Sequence, residues 1–577
     1  MVDKTVKKII INEKHKSIIS FLSVLAFLFI LVICSNIFYI KFDLTSDKKY
    51  TLTEQTTDLL ENLDDVVQFK VYLDGDELPS GFVKLKNSIN EILLEFSSES
   101  YNNIEFEFID LYDIESKNKR EKEIQRLQSI GIPNLSFGLK KDNGSTSNFH
   151  VTPGVEVFYK GKSIGANLLE TSETNYDNNF KTSIENLEYQ LSNAIRKLIR
   201  ERAQNIGFLQ KHGESGQMEL KDLAQTLSEY YNIGPVFIEN DGQFDLNALG
   251  LIDVLVIAGP KSSFNELELL IIDQFIMKGG RALFLLDGIH AEIDSLRYSP
   301  YFPAMPFNSN LEKLLYSYGI RINNDLVEDQ QCTKIPINAG PTGSKSRSEL
   351  YPWVYFPLLF SENNHVTNKN LDPIKVEFAS TIDSIGSQDV TCTSLLKTSG
   401  QNRFVKTPTR IGFEDAVAGI KDEKYHSKKG SIAMLAEGKF TSYFKNRILP
   451  DGFLQHKKLL AKSDSGRIAV ISSGTFANNI ILSDETTMPL GADRYNKSLF
   501  YDNKLFLLNL INYLSGDENL IAVRSKNIDL RLLNTKKVKN EKDKIKIINV
   551  VIPPLLILIG SVIFSYVRKR KYTRNNS

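Results

Sequence analysis

Residues 253–288 read DVLVIAGPKSSFNELELLIIDQFIMKGGRALFLLDG. The opening run, DVLVIAG, is nearly all apolar, as a strand covered on both faces of a parallel sheet must be. Residues 265–278 then carry helical spacing, Gly279-Gly280 closes that helix, and RALFLLDG begins another buried strand. Strand, helix and strand in one short stretch predict a crossover unit, and with it a parallel sheet with helices on its faces.

The same rhythm extends outward. Upstream lie the strand NIGFLQ (205–210), a helix over 218–231 and the strand PVFIE (235–239); downstream, strand signals return at 431–435 and at 467–472 (RIAVIS), followed by a helix over 501–514. Together they predict a flavodoxin-like or Rossmann-like parallel-sheet domain over 205–535. Residues 290–430 interrupt it as an irregular insertion rich in Asn, Ser, Pro and Gly, whose fold the pattern leaves unread; it holds the single tryptophan, Trp353.

A smaller α/β unit precedes this domain, over 41–175. The strand VVQFKVYL (66–73), a turn, a helix over 82–98 and the strand IEFEFIDLYD (104–113) form a β-α-β unit, and GVEVFYKGKS (154–163) alternates as a hairpin turning at Lys160-Gly161. The order is thioredoxin-like, but no Cys-x-x-Cys occurs, which excludes dithiol redox chemistry. A helix within 176–204, with Ile184, Leu187, Leu191, Ile195, Leu198 and Ile199 on one face, is expected to link the two units.

The chain ends add a further expectation. Residues 18–40 and 547–567 are uncharged and each about as long as the ~20 residues a membrane-crossing helix needs, the second with Pro553-Pro554 bending it. Basic residues flank both runs on their outer sides, in 1–17 and 568–577, so the positive-inside rule predicts two spans with both termini cytoplasmic. The region between would then be periplasmic, on an inner-membrane protein. A basic juxtamembrane segment, 536–546, opposes that orientation locally, but the first span usually dominates.

The 577 residues suffice for several folded units, and 70 Lys and Arg balance 70 Asp and Glu, which gives no reason to expect a nucleic-acid partner. Among the three cysteines, Cys34 lies in the first apolar run, and spacing leaves open whether Cys332 and Cys392 pair. The seven histidines stand singly without metal-ligand spacing, so no metal or cofactor is expected. GPTGSKS (340–346) lacks the spacing of a phosphate loop, and Gly-x-Ser-x-Gly is absent. One constellation stands out: His212-Gly213-Glu214 follows the first strand of the α/β domain, at the edge where open parallel sheets bind ligands. It reads either as a ligand, partner or acid-base loop or as a tight turn with a polar cap. With no other catalytic pattern, the chain is expected to be non-catalytic.

Several stretches resemble one family. These are YTLTE (50–54), IGFLQKHGESG (206–216), the 253–288 segment, LAEGKFTSYFKNR (435–447) and the tail from Leu490 through RKRKY (568–572). They resemble GldG, the gliding-motility-associated auxiliary or substrate-binding subunits of ABC transporters in Bacteroidetes-type bacteria. The resemblance implies an envelope role beside a separate ABC permease and a separate ATPase, with other gliding or envelope proteins as further partners. The absence of a Walker motif suits that division of labour. Lys211 departs from the family pattern, Gly-His-Gly-Glu. Two alternatives stay open: a purely structural link between membrane and motility machinery, and an anchored envelope enzyme using the sheet edge near His212 and Glu214.

Overall fold

The computed structural model describes residues 51–517 apart from 76–77, 141–145, 170–175, 200–203, 241–242, 245–247, 339–347, 362–364, 370, 387, 415–424, 451–458, 484 and 497–498; it also describes 21–23, 25–27, 29 and 552–573. Within the compact unit Leu52–Lys526, the first domain opens with helix α1 (Glu54–Glu61), capped by the Thr53 side chain. Strand β1 (Val67–Val71) leads into α2 (Ser80–Glu99), which buries Phe82, Leu85, Ile89, Leu93 and Phe96 at helical spacing. Strand β2 (Ile104–Phe108) returns parallel to β1. After α3 (Lys117–Ser129) come the paired strands β3 (Leu135–Lys140) and β4 (Thr146–Val151), then the hairpin of β5 (Gly154–Tyr159) and β6 (Lys162–Asn167). That hairpin turns through Lys160 and Gly161, both at positive φ, which matches its strand twist. The sheet order is β2-β1-β5-β6, so β6 is an outer strand.

The linking helix is two helices, α4 (Tyr176–Glu185) and α5 (Leu187–Ile199), broken at Asn186. Leu187, Leu191, Ile195 and Leu198 of α5 complete the first domain's core.

The second domain contains β7 (Asn205–Leu209), α6 (Lys221–Ser228), β8 (Asn232–Val236), β9 (Val254–Ala258), α7 (Glu266–Met277), β10 (Arg281–Leu285) and α8 (Leu311–Ser317). It continues with β11 (Cys332–Asn338), β12 (Ser348–Ser361), β13 (Val390–Lys397), β14 (Ser431–Gly438), β15 (Gly466–Ile471) and α9 (Asn503–Ser515). Five strands are parallel, in the order β8-β7-β9-β10-β15. This is the 2-1-3-4-5 order of flavodoxin-like sheets.

Residues alternate between the two faces of this sheet. Val254, Val256, Leu283, Leu285, Ala469 and Ile471 pack with Leu223 and Leu227 of α6 and with Phe506, Leu510 and Leu514 of α9. Leu255, Ile257, Phe284, Ile468 and Val470 pack with Leu269, Ile272 and Ile276 of α7 and with Leu311, Leu314 and Leu315 of α8. At roughly 1.5–3 kcal/mol per buried large apolar side chain, these two layers supply the main driving force for the domain.

Two expectations need correction. The sheet is mixed, not parallel throughout: β14 lies antiparallel to β15, and β13, β12 and β11 continue antiparallel to bring the sheet to nine strands, which three short strands off this path (Ile320–Ile322, Ile374–Lys375 and Ile382–Ser384) bring to twelve. The segment read as an irregular insertion therefore extends the sheet. Successive strands joined by simple returns pair antiparallel without a crossover helix.

The two-span reading is overturned as well, because among the described residues no helix is long and apolar enough to cross a membrane. The C-terminal helix, Ile552–Thr573, has Pro553 and Pro554 in its first turn and the basic run from Arg568 in its last turns, so its apolar part is confined to 552–567. Prolines suit a first helical turn, where their missing N–H groups are not needed. Most of the first apolar run, including Cys34, and the 536–546 segment lie outside the described residues.

One buried carboxylate fastens the second layer. Asp273 of α7 is fully buried, accepting hydrogen bonds from the Tyr318 hydroxyl (2.8 Å), the Ser442 hydroxyl (2.6 Å) and the Tyr443 amide (3.0 Å). Burial pushes its carboxyl above the usual range, with those donors opposing. Asp273→Ala removes the acceptor of four donors at once, the Gln274 side-chain amide (3.0 Å) included. It is expected to cost about 2–4 kcal/mol, measured as a lower Tm of the full-length chain; an unchanged Tm would deny Asp273 this role.

Candidate functional site

The carboxyl ends of the parallel strands present four loops on one edge of the sheet, and the first contains His212-Gly213-Glu214. Its carbonyl at His212 accepts from the Lys261 and Ser262 amides (2.8 and 2.9 Å), and the Ser215 amide donates to the Ala258 carbonyl (2.8 Å). The loops after β7 and β9 are thereby tied together. Three residues of these loops hold positive φ: Lys211 (111°), Gly213 (76°) and Gly259 (63°). Glycine suits the last two, whereas Lys211 is strained, and the resembled family's pattern has glycine there.

His212 is 8 % exposed and clasped from both sides. Nδ1 lies 3.3 Å from Oε1 of Glu214, and Nε2 lies 3.1 Å from Oε1 of Glu268. Its ring stacks on Phe264 at 3.8 Å between centroids, tilted by 20°. Glu214 also accepts from the His212 amide through Oε2 (2.7 Å). Glu268 is the third residue of α7, where its Oε2 accepts from the Asn265 amide (2.7 Å) while Asn265 caps the Glu268 and Leu267 amides. One carboxylate thus serves a capping box and an ion pair together.

Burial works against a charged imidazole, but hydrogen bonding and charge from Glu214 and Glu268 outweigh it and lift His212 to about 9. Burial likewise raises Glu268, and His212 more than cancels it, leaving that carboxyl below its usual value. Nδ1 sits at ion-pair distance from Glu214 without hydrogen-bond geometry, and Nε2 faces Glu268, so carboxylates stand at both ring nitrogens. The role of His212 in this geometry is to fasten the first loop to the start of α7.

Beside the clasp lies a cavity of about 170 Å³, reached by all four loops: Gly213 and Glu214 from the first, Lys261 from the second, Asp287 and Glu292 from the third, Thr475 and Asn478 from the fourth. Gly259 and Gly474 meet so closely that a Cβ on Gly259 would lie 2.8 Å from the Gly474 carbonyl oxygen. Side chains are excluded at that contact, which brings the loops together. The Gly474 amide donates to Asp287 Oδ1 (2.6 Å), while burial pushes the Asp287 carboxyl up. The Asn478 side-chain oxygen is buried without a hydrogen-bond partner.

The volume is below the roughly 300–1,000 Å³ of drug-sized pockets. Carboxyl groups (Glu214, Glu219, Asp287 and Glu292), the Asn478 amide oxygen and the Lys261 ammonium in such a space suit a small polar molecule. Among the described residues, no group of three or more His, Cys, Asp or Glu could hold a metal ion.

Of the sequence candidates, Gly213 and Glu214 reach the cavity and His212 backs them. Glu268, Asp287, Gly474 and Asn478 were not singled out. Asn265-x-x-Glu268 has capping-box spacing and could have signalled the clasp; Asp287 and Asn478 join the site only through the sheet order. Cys332 and Cys392 are both free, and burial pushes both thiols up, Cys332 to about 12, so neither is poised as a thiolate. The 340–346 loop lies outside the described residues.

Residues 203–510, which take in this domain and its loops, match the model of a family described as an ABC-type uncharacterized transport system. The chain belongs to this family. Membership implies association with transporter components. Residues 46–158 match a second model, described as a domain of unknown function. A Borreliella burgdorferi protein described as uncharacterized is 23% identical over 574 residues, covering 97% of this chain and 99% of its own length. Among solved structures, similarity extends to the mmIFT52 N-terminal domain (15% identity, 57% of this chain and 100% of that one, TM-score 0.29). A ThuA-like protein from Bacteroides uniformis is also similar (12% identity, 55% and 92% coverage, TM-score 0.26).

Two measurements test the clasp. The raised His212 value means its stabilisation is full below pH 6.5 and lost as pH rises through about 9; the lowered Glu268 value means its share is present above pH 4.5 and lost below. The stability gap between the full-length chain and His212→Gln, on the order of 2 kcal/mol, is expected to be widest between pH 4.5 and 6.5. A gap independent of pH would rule out the charged clasp. Lys211→Gly relieves the strained φ and should raise stability by about 1 kcal/mol, visible in chemical denaturation as a higher midpoint with unchanged slope.

Proposed function

We propose that the chain is a non-catalytic auxiliary subunit of an ABC transport system, working beside a separate permease and a separate ATPase. We further propose that its α/β domain receives a small polar ligand at the carboxyl edge of the sheet. The observation that carries this reading is the coincidence of the family-matched region, 203–510, with the domain whose four loops build the 170 Å³ cavity. Open α/β sheets bind ligands at that edge, next to the switch in strand order. The enclosure of His212 between Glu214, Glu268 and the Phe264 ring, with only 8 % of its surface exposed, favours a structural role for it over acid-base chemistry.

The finer assignment, a GldG-type subunit of gliding machinery, rests on the sequence resemblance. An inner-membrane location follows in this reading from the company of a permease. The test is affinity purification of the tagged full-length chain from its own cells in mild detergent. Recovery of an ABC permease and an ATPase in fixed ratio is expected. Recovery of envelope or motility proteins with neither transporter component would replace this reading with that of a structural link.

A further inference from the structure

A second cavity, of about 1140 Å³, runs between the two domains. One wall is the outer strand β6, which among the described strands pairs only with β5, with Gly165, Ala166 and Asn167 along the groove. Edge strands are ordinarily covered or protected by charge. This one is uncharged from Ser163 to Asn167.

The floor is a polar stripe on α5: Gln190, Asn193 and Lys197, spaced so that they share one helical face. Asn193 is only 5 % exposed, yet its side-chain amide has no hydrogen-bond partner among the described residues. Facing the cavity, such an amide is free to donate to and accept from a bound ligand. Lys197 is half-buried, its ammonium 4.4 Å from the centre of the Tyr230 ring, with no carboxylate at ion-pair distance among the described residues. Glu229 and Asp502 also line the groove, and Lys504 there is paired with Asp222, so Lys197 is a local cation in a lining of mixed charge. Burial pushes the Lys197 ammonium down, with only the charge of Glu229 opposing.

We propose that this groove binds an extended acidic peptide segment, which adds as a strand to the open edge of β6 and sets a carboxylate on Lys197. The peptide's backbone is read by Gln190 and Asn193, whose amides both donate and accept, as a backbone requires. The groove exceeds the usual small-ligand range, and a row of backbone groups on a strand edge matches a chain better than a compact anion. The proposal does not depend on the transporter assignment or on the smaller cavity.

The test is fluorescence anisotropy with the purified full-length chain and two labelled octapeptides, alternating Glu-Val and alternating Lys-Val. Saturable binding of the acidic peptide alone is expected. Lys197→Met and Asn193→Leu should each weaken it by about tenfold or more with little change in Tm, because neither side chain holds a hydrogen bond or ion pair to another described residue. Lys197→Arg should keep affinity within a few fold. Absence of saturable binding overturns the proposal, as does binding indifferent to both substitutions. Full competition by free glutarate at the peptide's own concentration would replace the strand-binding site with a site for small anions.

Discussion

Strand β9, Val254–Ala258, has every residue buried, and most of the architecture follows from that constraint. A strand with no solvent-facing side needs a packed layer above and below. Val254 and Val256 face α6 and α9, while Leu255 and Ile257 face α7 and α8. Those helices reach both faces only through crossovers, and crossovers keep the strands parallel. Parallel strands in turn bring their carboxyl ends to one edge, so the loops holding Glu214, Lys261, Asp287 and Asn478 meet there although the chain separates them widely. The cavity is a geometric consequence of burying DVLVIAG.

The two cavities differ in how their polar groups are satisfied. At the sheet edge, His212 is neutralised by Glu214 and Glu268, and Glu268 is itself held in a helix cap. That arrangement pairs the imidazole with carboxylates on both sides, although His212 Nδ1 and Glu214 Oε1 make no hydrogen bond. In the interdomain groove, the Asn193 amide makes no hydrogen bond to another described residue, and half-buried Lys197 meets the Tyr230 ring rather than a carboxylate. The polar groups of the clasp face one another, whereas those of the groove face its open space.

The parallel half of the α/β domain was legible because each of its strands is a short apolar run bounded by turn residues and separated by helical spacing. RIAVIS is an example, lying in the sheet beside β10. The antiparallel half was not legible. β12, Ser348–Ser361, contains Pro352 and Pro357, and β13 reads VTCTSLLK with a half-buried pattern; neither gives a clean alternation. Their place is set by tertiary pairing with β14, which local pattern does not encode. The apolar run at the C-terminus misled for the opposite reason: composition indicated length, but the helix takes Pro553 and Pro554 in its first turn and the basic residues in its last. At the site, His212 and Glu214 were readable because they are neighbours in sequence. Glu268 and Asn478 were not, because only the fold makes them neighbours.

The family-matched segment, 203–510, spans the parallel strands, the antiparallel extension and most of α9, so the unit shared within the family is the whole mixed sheet. The second match, 46–158, ends inside β5. Residues 159–202 fall between the two matches, and they supply both β6 and α5, the open strand edge and the polar stripe of the groove. A segment whose only task was to join two rigid domains could be an apolar helix and a closed hairpin. Instead it presents an uncharged edge and, among the described residues, an amide without a hydrogen-bond partner and an ammonium without a carboxylate at ion-pair distance. In the proposed complex an extended chain with an acidic side group supplies a partner to each. The seam between the two matched modules is thus where the proposed peptide site is built.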